Sequence, residues 1–178
     1  MKNKKQFAFL GMLWCAFWMV SCDSNRSDGT EVVIISMNDI HGTFDYLPKL
    51  SAFVKETKAA NPNVIVVNAG DRFTGNPYND YYNEPGLPII DLENRIGVDV
   101  STIGNHEFDY GQKLLNERIK QSNAIEISAN MELKGSTLDV IEPYYSIEKD
   151  GLNIVFLGLI NRNPKTHRPD VMKNKVDS

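Results

Sequence analysis

At 178 residues, with 42% hydrophobic and 24% charged residues, the chain has the size and balance of one ordinary globular domain with a substantial core. A net charge of −4 excludes recognition of a nucleic-acid polymer or an anionic lipid surface by bulk positive charge. With Cys15 inside an N-terminal apolar run and Cys22 at its end, the rest of the chain has no disulfide framework.

Residues 1–22 read as a secretory leader. Lys2, Lys4 and Lys5 precede the apolar run "FAFLGMLWCAFWMV", which is too short to span a membrane comfortably and is followed by the small Ser21. The stretch "MVSC" at 19–22 resembles the lipobox of bacterial lipoproteins, with Met19 in place of the usual leucine. That resemblance implies cleavage before Cys22, lipidation of Cys22 and attachment to a membrane of the bacterial envelope; ordinary secretion with cleavage nearby is the competing reading. Anchoring by acyl chains contributes roughly 0.8 kcal/mol per buried CH₂. Residues 23–30, "DSNRSDGT", are polar and turn-rich, as expected of a tether.

The ordered part is expected over 31–178. The β-branched run "EVVIISM" (31–37) predicts a buried strand that empties into "NDIHG". Residues 46–60 place Leu47, Leu50, Phe53 and Val54 near helical spacing, with Pro48 in the first turn. "NVIVVNAGD" (63–71) is a second buried strand. A long loop is expected over 72–88, with Tyr78, Tyr81 and Tyr82 packed within it rather than free to stack on a ligand's base, the competing reading, and then a helix over 87–96. "DVSTIGNHEFD" (99–109) reads as a third strand with a polar exit, 110–121 as a helix, and 124–130 as a fourth strand. Residues 144–160 read as a hairpin turning at Asp150-Gly151. This alternation predicts an α/β domain with parallel strands wherever the crossovers are helical.

In such sheets ligands gather at the carboxyl ends of strands. Three successive strands end in "NDIHG", "NAGDRF" and "GNHEFD". If the first strand stays extended, Asp39 and His41 project to one face and can grip a divalent transition metal. Taken alone, the pair equally fits a loop cap and a surface histidine. Asp71 can bridge two cations through its two oxygens, or serve only an Asx turn. Asn105 offers a carbonyl oxygen and His106 a proton-transfer group, and Gly104 permits the tight backbone that aims both into one space. Asp109, three residues past His106, is placed to orient the imidazole; a helix N-terminal acid is the alternative. Arg72 could clamp a phosphate through its guanidinium, but as the neighbour of Asp71 on an extended segment it should point the other way, into a structural or exposed position. Thr74, Gly75, Asn76 and Pro77 are expected to shape the loop without chemistry.

Taken together, "NDIHG", "GDRFTGNP" and "GNHEFD" resemble the first three metal-binding motifs of the calcineurin-like metallophosphoesterases, in the bacterial 5′-nucleotidase (UshA-like) branch. The likeness extends over roughly 32–160, where Asn130 in "SANM" matches a position expected to be structural. It implies a layered α/β/β/α sandwich, of which this chain holds the first half. It also implies two divalent ions of the manganese, zinc or iron type, with Asp39, His41 and Asp71 on one and Asp71 and Asn105 on the other. His106, with Asn105 beside it, would contact the phosphoryl group and pair with Asp109. The implied reaction is hydrolysis of a nucleotide or other phosphate ester by a water that both ions activate.

The family's later motifs, a His-x-Gly and a Gly-His-x-His-like pair, and its C-terminal substrate domain are not in this sequence. The one remaining histidine, His167 in "KTHRPD", lies in no ligand motif. Residues 31–178 are therefore expected to be a partial domain. A noncatalytic remnant that binds metal or a partner, and a related hydrolase acting on a 2′,3′-cyclic phosphodiester or a sulfur ester, are the alternatives.

Overall fold

The computed structural model describes residues 29–131, 138, 141–161, 163 and 165. The leader, Cys22, most of the tether and His167 lie outside the described residues. Strand β1 (Val33–Met37) pairs in parallel with β2 (Val64–Asn68), in register from Val33 opposite Val64 to Met37 opposite Asn68. β3 (Val100–Thr102) pairs in parallel with β2, and β4 (Ile125–Ile127) with β3, giving the order β1-β2-β3-β4. The crossovers run through α1 (Leu47–Ala60), α3 (Leu87–Ile96) and α4 (Gln112–Gln121). With sequential order and right-handed crossovers, these helices share one face of the sheet. α1 packs on α3, and α3 on α4.

β1 shows how the sequence selects that face. Ile35 and Met37 point into the core, while Ile34 and Ser36 alternate to the opposite, exposed side. The helices answer with Leu47 and Val54 from α1, Ile89, Ile90 and Ile96 from α3, and Leu115 and Ile119 from α4. Each such burial contributes about 1.5–3 kcal/mol against exposure. Strands β5 (Tyr144–Lys149) and β6 (Leu152–Leu157) form a separate antiparallel hairpin whose turn, Asp150-Gly151, has positive φ at both residues. Backbone bonds from Ser128 N–H to Glu142 O (2.8 Å) and from Ala129 N–H to Gly158 O (2.7 Å) tie the chain after β4 to the segments flanking this hairpin. Asn130 is structural: its side chain bonds both the N–H and the carbonyl of Ile160.

Two expectations are corrected. The third strand stops at Thr102, and residues 106–108 form a 3₁₀ turn, because Gly104 and Asn105 leave the sheet to meet the loop after β2. The tyrosines are not packed in their loop: Tyr78, Tyr81 and Tyr82 are 78%, 86% and 50% exposed. That loop contains a one-turn helix, α2 (Pro77–Asp80), whose inward position belongs to Asn79. Its carboxamide accepts from Ile89 N–H and donates to the Tyr110 hydroxyl.

Arg72 is fully buried, directed away from the Asp71 side chain into the space behind the sheet ends. Its guanidinium meets Glu93 of α3 at 3.1 Å, Glu126 of β4 at 2.7 Å and Glu107 of the 3₁₀ turn at 3.6 Å. Burial alone would lower the arginine pKa, but attraction to Glu126, Glu93 and Glu107 outweighs it and raises the pKa. Burial pushes the Glu93 and Glu107 carboxyls up, and Arg72 opposes that rise.

Removing one partner of a buried ion cluster leaves uncompensated charge, so Arg72→Met should cost about 3–5 kcal/mol in urea unfolding. Without the guanidinium the Glu93 carboxyl rises further. Stability from a raised carboxyl pKa is complete below the unfolded value and lost as pH climbs through the folded one, so the variant's deficit should be smaller at pH 5 than at pH 8.

Candidate active site

Three loops meet where β1, β2 and β3 end, and a buried apolar side chain anchors each. Ile40 sits between Asp39 and His41, Phe73 follows Arg72, and Ile103 and Phe108 bracket the 104–107 segment; all four are nearly inaccessible. With these residues buried, Asp39, His41, Asp71 and His106 remain accessible, whereas Arg72 and Glu107 are buried beside their apolar neighbours. The first two loops also continue to pair through their backbones, with Asp39 N–H on Gly70 O (3.1 Å), His41 N–H on Asp71 O (3.1 Å) and Gly42 N–H on Arg72 O (2.9 Å).

The period-two argument for Asp39 and His41 does not hold. β1 ends at Met37, and the two residues have φ of 50° and 48°. Their side chains nonetheless converge, with Asp39 Oδ1 3.8 Å from His41 Nε2. Asp71 and Thr74 also have positive φ, at 56° and 39°. Each such non-glycine residue costs of order 1–3 kcal/mol, which the surrounding packing must offset.

His41 Nδ1 lies 3.1 Å from the Thr74 carbonyl. A carbonyl only accepts, so Nδ1 carries the proton and Nε2 presents its lone pair. Asp71 Oδ1 accepts the His106 backbone N–H at 3.0 Å. The contact demands glycine at 104, where an added Cβ would stand 2.3 Å from Asp71 Oδ1 and 2.6 Å from its nitrogen. One ligand atom each from His41, Asp71 and His106 lie within 4.8 Å of one another, and the two imidazoles meet edge to face at 4.7 Å. His106 Nδ1 lies 2.8 Å from Asp109 Oδ2. Asp109 precedes α4, whose N-cap is Gly111, so the carboxylate serves the imidazole rather than a helix end. Asn105 opens the 3₁₀ turn half-buried beside His106, and its side chain makes no capping bond there.

One residue from each motif, His41, Asp71 and His106, is thus brought into one cluster; Asp39 reaches His41 but is not part of that cluster. Two participants had no chemistry assigned from sequence. Glu107 accepts the backbone N–H groups of Asp71 (3.1 Å), Arg72 (2.8 Å) and Gly104 (2.7 Å). The Thr74 hydroxyl donates to Asp109 Oδ2 at 2.7 Å. Glu107 lies next to His106 in the motif, yet nothing in the sequence distinguishes a buried acceptor from a surface acid. Imidazole nitrogens and a carboxylate oxygen, half-buried and converging, fit a divalent metal ion.

A sequence profile described as Calcineurin-like phosphoesterase matches residues 32–175, and the chain belongs to that family. It is 28% identical over 162 residues to a 2′,3′-cyclic-nucleotide 2′-phosphodiesterase/3′-nucleotidase of Haemophilus influenzae, covering 80% of this chain and 23% of that protein. It is 29% identical over 154 residues to the protein UshA of Yersinia enterocolitica, covering 80% of this chain and 27% of the other. The chain therefore spans about a quarter of the length of these relatives. The solved structure of Haemophilus influenzae NAD nucleotidase superposes with a TM-score of 0.68 at 24% identity, covering 81% of this chain and 29% of that one.

Gly104→Ala should force the Asp71 loop away from His106 and cost about 1–3 kcal/mol of stability. Manganese titration by calorimetry should show binding at least about tenfold weaker, a change of about 1.4 kcal/mol. Unchanged affinity would contradict the close packing of these loops as the basis of the site.

Proposed function

We propose that the intact protein is a metal-dependent phosphoric ester hydrolase of the 5′-nucleotidase type, acting on nucleotides in the bacterial envelope. The observation that carries this reading is the convergence of His41, Asp71 and His106, with His106 backed by Asp109. In this reading Asp39, His41 and Asp71 hold one divalent ion, and Asp71 and Asn105 hold a second. When bound, the ions supply a more acidic water and neutralise charge on the phosphoryl oxygens. His106, its Nδ1 proton directed to Asp109, presents Nε2 to the phosphoryl group or the departing oxygen. Asp109 stabilises the imidazolium once that nitrogen takes a proton. Asn105 contributes an uncharged oxygen, and Gly104 lets the turn approach Asp71.

The Haemophilus relative favours a second reading, in which the substrate is a 2′,3′-cyclic phosphodiester. A third reading is a noncatalytic protein that binds a metal or a partner at the His41, Asp71 and His106 cluster. The lipobox-like "MVSC" supports export and anchoring through Cys22, with a further substrate-reading domain acting alongside. Among the described residues, no helix is long and apolar enough to cross a membrane.

The test is hydrolysis of nucleoside 5′-monophosphates, a 2′,3′-cyclic nucleotide and a chromogenic phosphate monoester by the 178-residue chain with manganese or zinc. The 5′-monophosphates should be preferred, and Asp71→Ala and His106→Ala should each lower turnover at least about 10²-fold. Turnover that survives both substitutions would overturn the assigned roles. Manganese binding without turnover would favour the noncatalytic reading.

A further inference from the structure

We propose that Thr74 is a positioning residue that sets the ring orientation of both site histidines, His41 through its carbonyl and His106 through its hydroxyl. The consequence for turnover rests on the reading of His106 given above; the positioning itself does not. The Thr74 carbonyl accepts from His41 Nδ1 at 3.1 Å. Its hydroxyl donates to Asp109 Oδ2 at 2.7 Å and lies 3.2 Å from His106 Nδ1. With Asp109 Oδ2 also 2.8 Å from His106 Nδ1, the three polar atoms close a triangle.

A hydroxyl has one proton to give. Asp109, as an acceptor, takes that proton, so a lone pair of Oγ1 faces His106 Nδ1. The Nδ1 proton then has two acceptors, Asp109 and Thr74, whereas the alternative tautomer would set a bare Nδ1 against the Asp109 carboxylate and would take the Thr74 proton away from Asp109. Nε2 is thereby kept bare on both rings, as a metal ligand on His41 and as the phosphoryl-facing atom on His106.

The loop is built to hold Thr74 in that place. Thr74 N–H donates to the Tyr110 hydroxyl at 3.3 Å, and Gly75 N–H donates to Asp80 Oδ2 at 3.0 Å. Tyr110 donates in turn to Asp80 Oδ1, and burial followed by this bond raises the Tyr110 pKa, so the phenol keeps its proton. Thr74 is held at a φ of 39°, and Gly75 lies against His41, where an added Cβ would stand 3.1 Å from the His41 carbonyl oxygen. Peptide strain, a tyrosine and an aspartate thus converge to fix one threonine between two imidazoles.

The test is long-range ¹H–¹⁵N spectroscopy of the metal-free chain labelled at its three histidines, at pH 8, with His41→Gln and His106→Gln for assignment. Wild type and Thr74→Ser should show both rings as the Nδ1-protonated tautomer. Thr74→Val, which keeps the shape and removes the hydroxyl, should leave His41 unchanged and keep His106 Nδ1-protonated on Asp109, but move the His106 ring ¹⁵N signals, because Asp109 loses its hydroxyl donor and the Nδ1 proton its second acceptor. His41 serves as the internal check on folding, because its partner is a backbone carbonyl. A His106 pattern in Thr74→Val that overlays wild type would overturn the proposal. Should the valine variant not fold, the wild-type chain decides: a Thr74 hydroxyl proton visible through slowed exchange supports the triangle, and one exchanging freely with water contradicts it. Where turnover is measurable, kcat should fall about tenfold in Thr74→Val with KM unchanged and be restored in Thr74→Ser. A chain without turnover would count against the hydrolase reading and leave the tautomer result to judge Thr74.

Discussion

The Glu107 carboxylate holds the site together. Lying at the ends of β2 and β3, it accepts backbone N–H groups from Asp71, Arg72 and Gly104, and so joins two loops that the sheet alone would let diverge. Such a group is stable in the interior only with compensating charge, and Arg72 supplies it from behind while also meeting Glu93 and Glu126. The buried ion cluster is therefore weak evidence for global stability and strong evidence for register. It fixes which face of the Asp71 loop turns toward His41 and His106, and it leaves the loop no freedom to follow a simple strand exit.

That constraint explains why so many non-glycine residues in these loops have positive φ. Asp39, His41, Asp71 and Thr74 all occupy the left-handed region. Buried Ile40, Phe73, Ile103 and Phe108 supply the packing that offsets this strain. The result is a set of polar groups whose directions are settled before any ligand arrives. Preorganisation of this kind matters most in phosphoryl transfer, where positioning and electrostatics do most of the work.

Much of this was legible in the sequence, for identifiable reasons. Buried parallel strands announce themselves as unbroken β-branched runs, and their polar exits placed Asp39, His41, Asp71, Asn105, His106 and Asp109 near one another before any coordinates. The burial of Arg72 was legible only as one of two outcomes, because period two gives a direction but not a depth. The proximity of Asp39 and His41 follows from a loop that turns at buried Ile40, so the two side chains approach each other without the extended strand that the sequence reasoning assumed. Glu107 and Thr74 were illegible because their roles consist of bonds to distant backbone and side chains, for which residue type alone carries no signal. The tyrosines of 78–82 misled because aromatic residues in a loop suggest packing, whereas Asn79 takes the inward place and its carboxamide bonds Ile89 and Tyr110.

The central claim is that these loops present the Asp71 carboxylate and His41 Nε2 to a shared divalent ion. Anomalous diffraction from crystals of the chain grown with manganese tests it most directly. The account predicts a manganese peak within about 2.0–2.3 Å of both an Asp71 oxygen and His41 Nε2. Manganese bound elsewhere, or an Asp71 side chain turned away from His41, would contradict it.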